Sequence, residues 1–574
     1  MLRRRLLSPA TCHLLPALCL LVALLPSRAP AAAATAAAPV PAALPGSKAL
    51  ESVEEATESL VNALIDMAVA ARSGDAAEVG PFLGDEVTLR LPVIAGDKSA
   101  AWRLVDKQVW TVTATAPTLK HDAAIQGFAT LFSRFKSLED VRFKLKDSHA
   151  VDGDMNVLEA HFKSWMVGRD LDGHREWMRG TGTLAGRRDA QGQWRLDHLV
   201  FEDAASLIAT RDLFSEVAAP AGLERPDPSL MERGGDGLVA HGVAVADVDR
   251  DGLLDVFAPG LTSNALFRAK GDGTFEDIAR SARLAVGSSA GGGPLFLDYD
   301  NDGDADLFLT SVGKQSLFEN RLVPDGKLVF RDVSSRARVD VDTAAFSAAA
   351  GDVNGDGLTD IYVACYNYYG KIIPDSWDRA KNGLPNLLFI NKGDGTFREA
   401  AKEFGVDDSR WSYGAELADA DDDGDLDLYV ANDFGGPMGF FLNEVKATGR
   451  FRDVTAERGL DGPGYGMGVS FGDFDLDGDL DLHLTRMSST AGNRILGRFG
   501  ETDVPDKANL RVLASGNALY QNTGGAHYQD VTKTAGPFGG NWAWGGGFFD
   551  ADNDGFPDLY TPNGFLSGST LHDT

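Results

Sequence analysis

Residues 419–430 read Asp-Ala-Asp-Asp-Asp-Gly-Asp-Leu-Asp-Leu-Tyr-Val, an acidic loop that runs directly into an apolar strand. The underlying pattern, Asp-x-Asp/Asn-x-Asp-Gly-x-x-Asp, occurs six times, beginning at Asp247, Asp298, Asp352, Asp419, Asp473 and Asp550. Oxygen atoms at positions 1, 3 and 5 of a tight loop can converge on one hard cation, and glycine at position 6 allows the sharp turn. The spacing therefore predicts about six Ca²⁺ sites.

Each loop offers five candidate ligands, four through side chains and the residue at position 7 through its backbone carbonyl. The candidates are Asp247, Asp249, Asp251, Leu253 and Asp255; Asp298, Asp300, Asp302, Asp304 and Asp306; Asp352, Asn354, Asp356, Leu358 and Asp360; Asp419, Asp421, Asp423, Asp425 and Asp427; Asp473, Asp475, Asp477, Asp479 and Asp481; and Asp550, Asp552, Asp554, Phe556 and Asp558. For any single copy, an ordinary solvated Asp-Gly turn is the alternative. Repetition in one register favours the metal.

An EF-hand loop begins in the same way but needs a bidentate glutamate at position 12 and a helix on each side. Position 12 here is occupied by Ala258, Leu309, Val363, Val430, Leu484 and Thr561. The flanking residues, such as Asp427-Leu-Tyr-Val, are typical of strands. The loops are therefore predicted to lie in β-hairpins.

A second element accompanies the loops: a strand, a Gly-rich turn and a strand that begins with an aromatic residue. One example is Asn386-Leu-Leu-Phe followed by Gly393-Asp-Gly-Thr-Phe. Each unit thus has four strands, and its repetition predicts a β-propeller with six countable blades, seven being the alternative count. A β-sandwich is the alternative fold. The opening stretch Leu213-Phe-Ser-Glu-Val is expected to meet the last blade and close the ring.

These loops and hairpins resemble the FG-GAP/VCBS repeats of integrin-α-type propellers. The pairing of the acidic loop with Asn-x-Leu-Phe-x-Asn-x-Gly-Asp-Gly-Thr-Phe is similar to the ASPIC/UnbV, cartilage-acidic-protein-like family, over residues 213–566. The resemblance implies a mainly β, secreted propeller. It also implies further repeats and a C-terminal ASPIC/UnbV segment, with a family expectation of seven blades.

Residues 50–212 lack the repeat. Apolar residues from Val53 to Ala71 fall at helical spacing, a second helix is predicted over Ala123–Phe135, and strands over 141–150, 157–167, 177–185 and 194–201. Helices followed by a curved sheet resemble a SnoaL-like α+β cone. Its candidate polar groups are His121, His161, His174 and Asp197, while Trp102, Trp110, Trp165 and Trp177 are expected in the core.

The N-terminus has the features of an export signal. Arg3, Arg4 and Arg5 precede the apolar stretch Leu14–Leu25, so residues 1–34 are predicted as a signal peptide and 35–49 as a disordered leader. The expected location is secreted or periplasmic, and an integral membrane protein is not expected. Beyond the signal only Cys365 remains, which excludes an internal disulfide. A net charge of −30 argues against a nucleic-acid partner.

The expected function is a non-catalytic binding or adhesion module with structural Ca²⁺ and a protein or polysaccharide partner. The partner surface is expected opposite the metal loops, on the long connections 366–385 and 486–516. One alternative is an exported polysaccharide lyase or hydrolase, in which Trp542 and Trp544 would stack a sugar. Another places ligand binding or catalysis in the N-terminal domain. The oligomeric state is left open.

Overall fold

The computed structural model describes residues 47–102, 104–212, 214–224, 242–260, 263–286, 292–368, 372–499, 507–536 and 542–563. The predicted signal peptide and most of the predicted leader lie outside these ranges. None of the helices in the described ranges is both long enough and apolar enough to cross a membrane.

The N-terminal domain is one curved eight-stranded sheet packed against two α-helices and a 3₁₀ helix. The helices are α1 (Ser47–Ala71), α2 (His121–Phe132) and a 3₁₀ helix (Ala76–Phe82). The strands are β1 (Leu83–Arg90), β2 (Ile94–Trp102), β3 (Val105–Thr111), β4 (Thr118–Lys120), β5 (Phe135–Val151), β6 (Asp154–Asp170), β7 (Arg175–Arg188) and β8 (Trp194–Ala209). They follow the order β2-β3-β8-β7-β6-β5, with β1 parallel to β8 and antiparallel to β4.

The sequence locates the helices and the four long strands of this domain, with two differences. The second helix ends at Phe132 because Phe135 already begins β5, where it is buried. Strands β1 to β4 were missed, since most of β2 is exposed on both faces and β4 has only three residues. Trp110 lies in the core as expected, but Trp177 is 42% exposed, which corrects its core assignment.

Aromatic and methionine side chains fill the interior of this domain. Phe162 and Phe201 contact edge to face at 5.0 Å, with Phe128 and Met166 around them. The cavity left among these side chains has a volume of about 10 Å³. That is about the room that one water needs, so this cavity is too small for an organic ligand.

The second part of the chain contains six small sheets, which correspond to the six acidic loops. Their strands are β9 (Ala244–Ala246), β10 (Asp255–Ala258), β11 (Ala265–Ala269) and β12 (Phe275–Asp277); β13 (Pro294–Leu297), β14 (Asp306–Leu309), β16 (Ser316–Asn320) and β17 (Phe330–Asp332); β15 (Val312–Lys314), β18 (Asp342–Gly351), β19 (Asp360–Cys365), β20 (Leu387–Asn391) and β21 (Phe397–Glu399); β22 (Ser412–Ala418), β23 (Asp427–Asn432), β24 (Gly439–Glu444) and β25 (Arg450–Asp453); β26 (Gly466–Gly472), β27 (Asp481–Arg486), β28 (Ala518–Asn522) and β29 (Tyr528–Asp530); and β30 (Gly547–Phe549) with β31 (Asp558–Tyr560).

The sheets succeed one another as the blades of a propeller. Within each sheet, neighbouring strands are antiparallel. The strand that precedes the acidic loop lies at one edge, except in the third sheet, where β15 pairs on the outer side of β18. The strands that precede the loops contact one another in the order β9, β13, β18, β22, β26 and β30. Phe214 lies 6.4 Å from Phe549 of the last sheet, so the opening segment returns to the end of the ring as predicted. The mainly β propeller fold is confirmed.

Large apolar side chains fill the spaces between neighbouring blades. Tyr429 of β23 is fully buried and contacts Phe440 of its own sheet and Phe471 of the next at 4.4 and 5.1 Å. Single-turn helices follow or join the outer strands: α3 (Ala218–Ala221), α4 (Leu322–Asp325), α5 (Ser334–Ala337), α6 (Ala401–Phe404), α7 (Val445–Thr448) and α10 (Thr532–Ala535). Several end in a left-handed glycine such as Gly405, whose φ is 77°.

The connection after β27 carries two further helices, α8 (Thr490–Gly497) and α9 (Lys507–Leu513). Arg494 and Arg498 both pair with Glu54 of α1, at 2.7 and 2.8 Å, and Arg498 also donates to the carbonyl of Ser148 at 2.6 Å. The connection 486–516, predicted as a partner surface, thus uses its basic residues to hold the N-terminal domain against the propeller.

Candidate metal sites in the hairpin loops

One hydrogen-bond pattern shapes all six acidic loops. In the fourth loop, the two carboxylate oxygens of Asp419 accept from the backbone N–H groups of Asp423 and Gly424, each at 3.0 Å. Asp423 accepts from the N–H of Asp425 at 3.1 Å. The equivalent bonds recur in the other five loops. The repeated sequence therefore folds into one repeated local geometry.

The aspartate at position 9 joins the loop to its sheet. Asp427 is 2% exposed, and its two oxygens accept from the N–H of Ala420 at 3.1 Å and of Asn443, on the third strand, at 2.8 Å. The same pair of bonds occurs at Asp255, Asp306, Asp360 and Asp481. This residue therefore sets the register between the loop and the third strand.

Burial destabilises the charged form of the position 9 carboxylates in the metal-free protein. It raises the pKa of Asp306 to about 8, of Asp360 and Asp427 to about 7, and of Asp481 to about 6, although the backbone N–H donors oppose the shift. The pKa of Asp421, at position 3, is raised by burial and then by its neighbours Asp423 and Asp419. A bound cation would stabilise the charged form of these carboxylates and lower their pKa values.

The position 3 carboxylates have unused oxygens that point to a cation. Oδ1 of Asp249 and Oδ1 of Asp421 are buried, and neither has a hydrogen-bond partner in the described part of the chain. One oxygen each from Asp419, Asp421 and Asp423 lies within 4.8 Å of the others. Oxygens around one Ca²⁺ are separated by up to about 4.8 Å. The same holds for Asp247, Asp249 and Asp251, and for Asp298, Asp300 and Asp302. The donor set fits Ca²⁺.

Two loops depart from this arrangement. In the third loop, Asn354 donates from Nδ2 to Asp356 at 3.0 Å, which occupies an oxygen that the pattern assigns to a cation. In the fifth loop, Gln521 donates to Asp475, and the clustered oxygens belong to Asp473, Asp475 and Asp481. These two loops have fewer free oxygen lone pairs.

An asparagine on the third strand of the next blade also holds each of the first four loops, a role that sequence reasoning missed. Asn443 donates from Nδ2 to the carbonyl of Val353, in the loop of the preceding blade, at 2.9 Å. Asn320, Asn391 and Asn522 donate in the same way to Val248, Tyr299 and Ala420. The available signal was the second asparagine of the repeated Asn-x-Leu-Phe-x-Asn stretch. Blades two to five therefore each fix the loop of the preceding blade.

The four candidate polar groups of the N-terminal domain do not converge. His161 bonds Asp147 at 2.8 Å, and Asp197 pairs with Arg187 at 3.2 Å, both on the outer surface. His121 lies beside the carbonyl of Gly80. His174 lies beside Asp170 and Asp172, three groups whose ligand atoms are within 4.8 Å. These residues do not form one site.

The end of the propeller opposite the loops is closed by aromatic side chains. Phe346 stacks on Tyr413 at 4.9 Å, and Tyr413 contacts Trp544 at 5.6 Å. Tyr366 donates its hydroxyl to the buried carboxylate of Asp433 at 2.5 Å. Trp542 lies 6.0 Å from Trp544. Both tryptophans are partly buried against this aromatic cluster, so they pack within the fold.

Comparison with known proteins agrees with the repeat. The FG-GAP-like repeat model matches residues 247–309, 298–363, 376–430 and 419–484. This chain therefore contains FG-GAP-like repeats between residues 247 and 484. The matches cover five of the six loops in full, and the last loop shares their geometry without being matched.

The curated relatives are cartilage acidic proteins. The chain is 29% identical to human cartilage acidic protein 1 over 303 residues, 47% of this chain and 42% of the relative. It is 27% identical to the Xenopus tropicalis protein over 370 residues, 59% of this chain and 50% of that relative. The chain thus spans half or less of the length of these two relatives. The resemblance to the cartilage-acidic-protein-like proteins, predicted from the repeats, is confirmed.

Among solved structures, an Agrocybe aegerita lectin that recognises non-reducing terminal N-acetylglucosamine has 16% identity and a TM-score of 0.34. The alignment covers 66% of this chain and 82% of the lectin. A TM-score this low does not support any inference about a ligand of this chain. The SnoaL-like resemblance of the N-terminal domain stays a prediction.

Proposed function

We propose that this protein is a secreted, calcium-stabilised propeller that acts as a non-catalytic binding module. The observation that carries the proposal is the convergence of carboxylate oxygens in the loops, where Asp249 and Asp421 keep buried oxygens for which no described residue supplies a donor. Calcium would offset the repulsion among these carboxylates. Residues at positions 1, 3, 5 and 9, with the carbonyl at position 7, would hold each ion.

The role of calcium in this proposal is structural. The carboxylates that would bind the ion already accept backbone N–H bonds, and through Asn443 and its equivalents the first four loops are tied to the next blade. Removing the ion would therefore loosen both a loop and a blade contact. A binding module needs such rigidity, because ordered surface loops lose less entropy when a partner binds.

Calcium titration of the full chain tests this proposal. After treatment with EDTA, thermal unfolding is recorded at increasing calcium, with magnesium as the matched control. Extracellular calcium modules respond at roughly 10⁻⁴–10⁻³ M, and we expect a rise in Tm over that range that magnesium does not reproduce. A Tm that is unchanged by calcium would refute the proposal.

We propose that the partner surface lies around Ile372 and Ile373, on the connection that follows β19. These side chains are 43% and 72% exposed. The connection is fixed beneath them, because Asn382 donates to the carbonyl of Ile373 at 2.9 Å and accepts from Trp411 at 2.9 Å. Exposed apolar residues on a rigid loop favour recognition of a protein or polysaccharide partner.

The substitution Ile373→Asp tests this surface without disturbing the anchor at Asn382. We expect a partner captured from extracellular material by the unmodified protein to be lost by this variant, with an unchanged Tm. Val286→Asp is the matched control, since Val286 is 76% exposed on another blade and its carbonyl also accepts from an asparagine, Asn264. Equal loss of the partner in both variants would exclude a specific role for Ile373.

Export is part of the same proposal and rests on the N-terminal sequence and on the relationship to cartilage acidic protein 1. Expression of the full chain followed by N-terminal sequencing of the exported product would test it. The expected product begins close to residue 35. Recovery of an unprocessed chain from the cell interior would contradict it.

A further inference from the structure

Position 7 of the acidic loop differs among the blades in a way that the nine-residue pattern ignores. It is leucine in the first and third loops, at Leu253 and Leu358, and aspartate in the second, fourth and fifth loops, at Asp304, Asp425 and Asp479. Asp479 is only half-buried, so it does not share the burial of Asp304. Sequence reasoning assigned this position only a backbone carbonyl. In the second loop the side chain carries an additional carboxylate.

Asp304 is buried, and only one of its oxygens is used. The residue is 2% exposed, and its Oδ2 accepts from the N–H of Val323 at 2.8 Å. Its Oδ1 is also buried, but no described residue donates a hydrogen bond to it. A buried carboxylate oxygen without a donor or a cation is strongly unfavourable.

Asp304 lies beside Asp302, which is at position 5 of the same loop, because the N–H of Asp304 donates to the Asp302 carboxylate at 3.1 Å. Asp302 is half-buried. The ion pairs among the described residues do not include Asp304, although the Arg250 guanidinium lies near the neighbouring Gly303. A buried carboxylate beside a half-buried one, without an ion-pair partner, favours a bound cation.

The fourth loop provides a natural comparison. Asp425 occupies position 7 there and also has a buried oxygen for which the described residues supply no donor. Its other oxygen, however, lies 3.5 Å from the ammonium group of Lys446. A lysine therefore supplies part of the positive charge in the fourth loop, and the second loop has no equivalent.

We propose that Asp304 supplies a fifth carboxylate to the calcium site formed by Asp298, Asp300, Asp302 and Asp306, so that the second loop binds calcium most tightly. This inference rests on the proposed calcium binding. Affinity for Ca²⁺ rises with the number of charged ligands when the site is rigid. The second loop would therefore fill first and release its ion last during chelation.

The experiment is isothermal titration of the EDTA-stripped full chain with CaCl₂ alone, with the bound ions counted by native mass spectrometry. Asp304→Asn keeps an acceptor for Val323 and removes the charge, and Asp304→Leu introduces the residue present in the first and third loops. We expect each variant to weaken the tightest site at least tenfold, with the remaining sites unchanged. The matched control Asp425→Asn should weaken binding less, because Lys446 remains.

Each outcome decides one proposal. If Asp304→Asn titrates like the unmodified protein, Asp304 only caps Val323 and the inference is wrong. If the unmodified protein binds no calcium, the proposed function fails at an earlier step. Unfolding of each variant in EDTA separates a lost ion site from a lost fold, because Asp304→Asn should unfold no earlier than the unmodified protein there.

Discussion

Asp427 lets the contributions of the backbone bonds and of the metal be measured separately. Its two oxygens accept from the N–H groups of Ala420 and Asn443, and the residue is 2% exposed. Asp427→Asn keeps one acceptor oxygen and turns an NH₂ group towards the other donor. A buried N–H left without an acceptor costs about 1–3 kcal/mol. We expect a loss of unfolding free energy of that size in EDTA.

Calcium should enlarge the difference in unfolding free energy between Asp427→Asn and the unmodified protein. At about a hundred times its dissociation constant a ligand stabilises the folded state by about 2.7 kcal/mol. If the substitution abolishes the fourth site, the total loss in calcium becomes about 4–6 kcal/mol. Removal of one repelling charge from beside Asp421 and Asp423 would offset part of the loss, chiefly in EDTA.

The assay is urea unfolding followed by tryptophan fluorescence, with and without calcium. Asp422→Asn is the matched control, since Asp422 is exposed in the same loop and its φ of 60° suits asparagine. It should change stability by no more than about 0.5 kcal/mol. An unchanged Asp427→Asn in EDTA would refute the hydrogen-bond argument. An equal loss with and without calcium would refute the metal argument.

Two further predictions concern protons and the domain contact. In EDTA, Tm should fall as pH rises from about 4 to about 8, because Asp306, Asp427 and Asp481 have raised pKa values and the folded state retains protons that the unfolded state releases. Calcium should abolish this fall in calorimetry, and a flat profile in EDTA would contradict the burial argument. Glu54→Gln should lower stability by up to about 3 kcal/mol, because it leaves Arg494 and Arg498 without their carboxylate. A double-mutant cycle with Arg498→Met measures the coupling, and additive effects would contradict the pairing.

The repeat allowed the propeller to be predicted, because its signals are local. The pattern fixes a turn at position 6, where the glycine N–H donates to the aspartate carboxylate at position 1, and a buried aspartate at position 9, which accepts from the N–H at position 2. Four strands per unit follow from the spacing of apolar runs. The N-terminal strands β2 and β4 gave no such signal, since they are exposed or too short.

Long-range packing could not be read from the chain. The basic residues of the connection 486–516 suggested a partner surface, whereas Arg494 and Arg498 meet Glu54 more than 400 positions away. The sequence also offered no reason to assign a side-chain ligand at position 7, because aspartate, leucine and phenylalanine all occur there. In the fold, Asp304 is buried without an ion-pair partner among the described residues, whereas Asp425 lies 3.5 Å from Lys446 and Asp479 is half-buried.

The sequence alone determined that acidic hairpins repeat and that their carboxylates can converge, since both properties depend on neighbours within one loop. The tertiary structure decided which oxygens are left without donors and which charges are compensated. Asp304 and Asp425 show the difference, because Lys446 reaches only one of them. Compensation depends on which side chains the fold brings within a few ångströms, and the spacing of residues along the chain does not fix that distance.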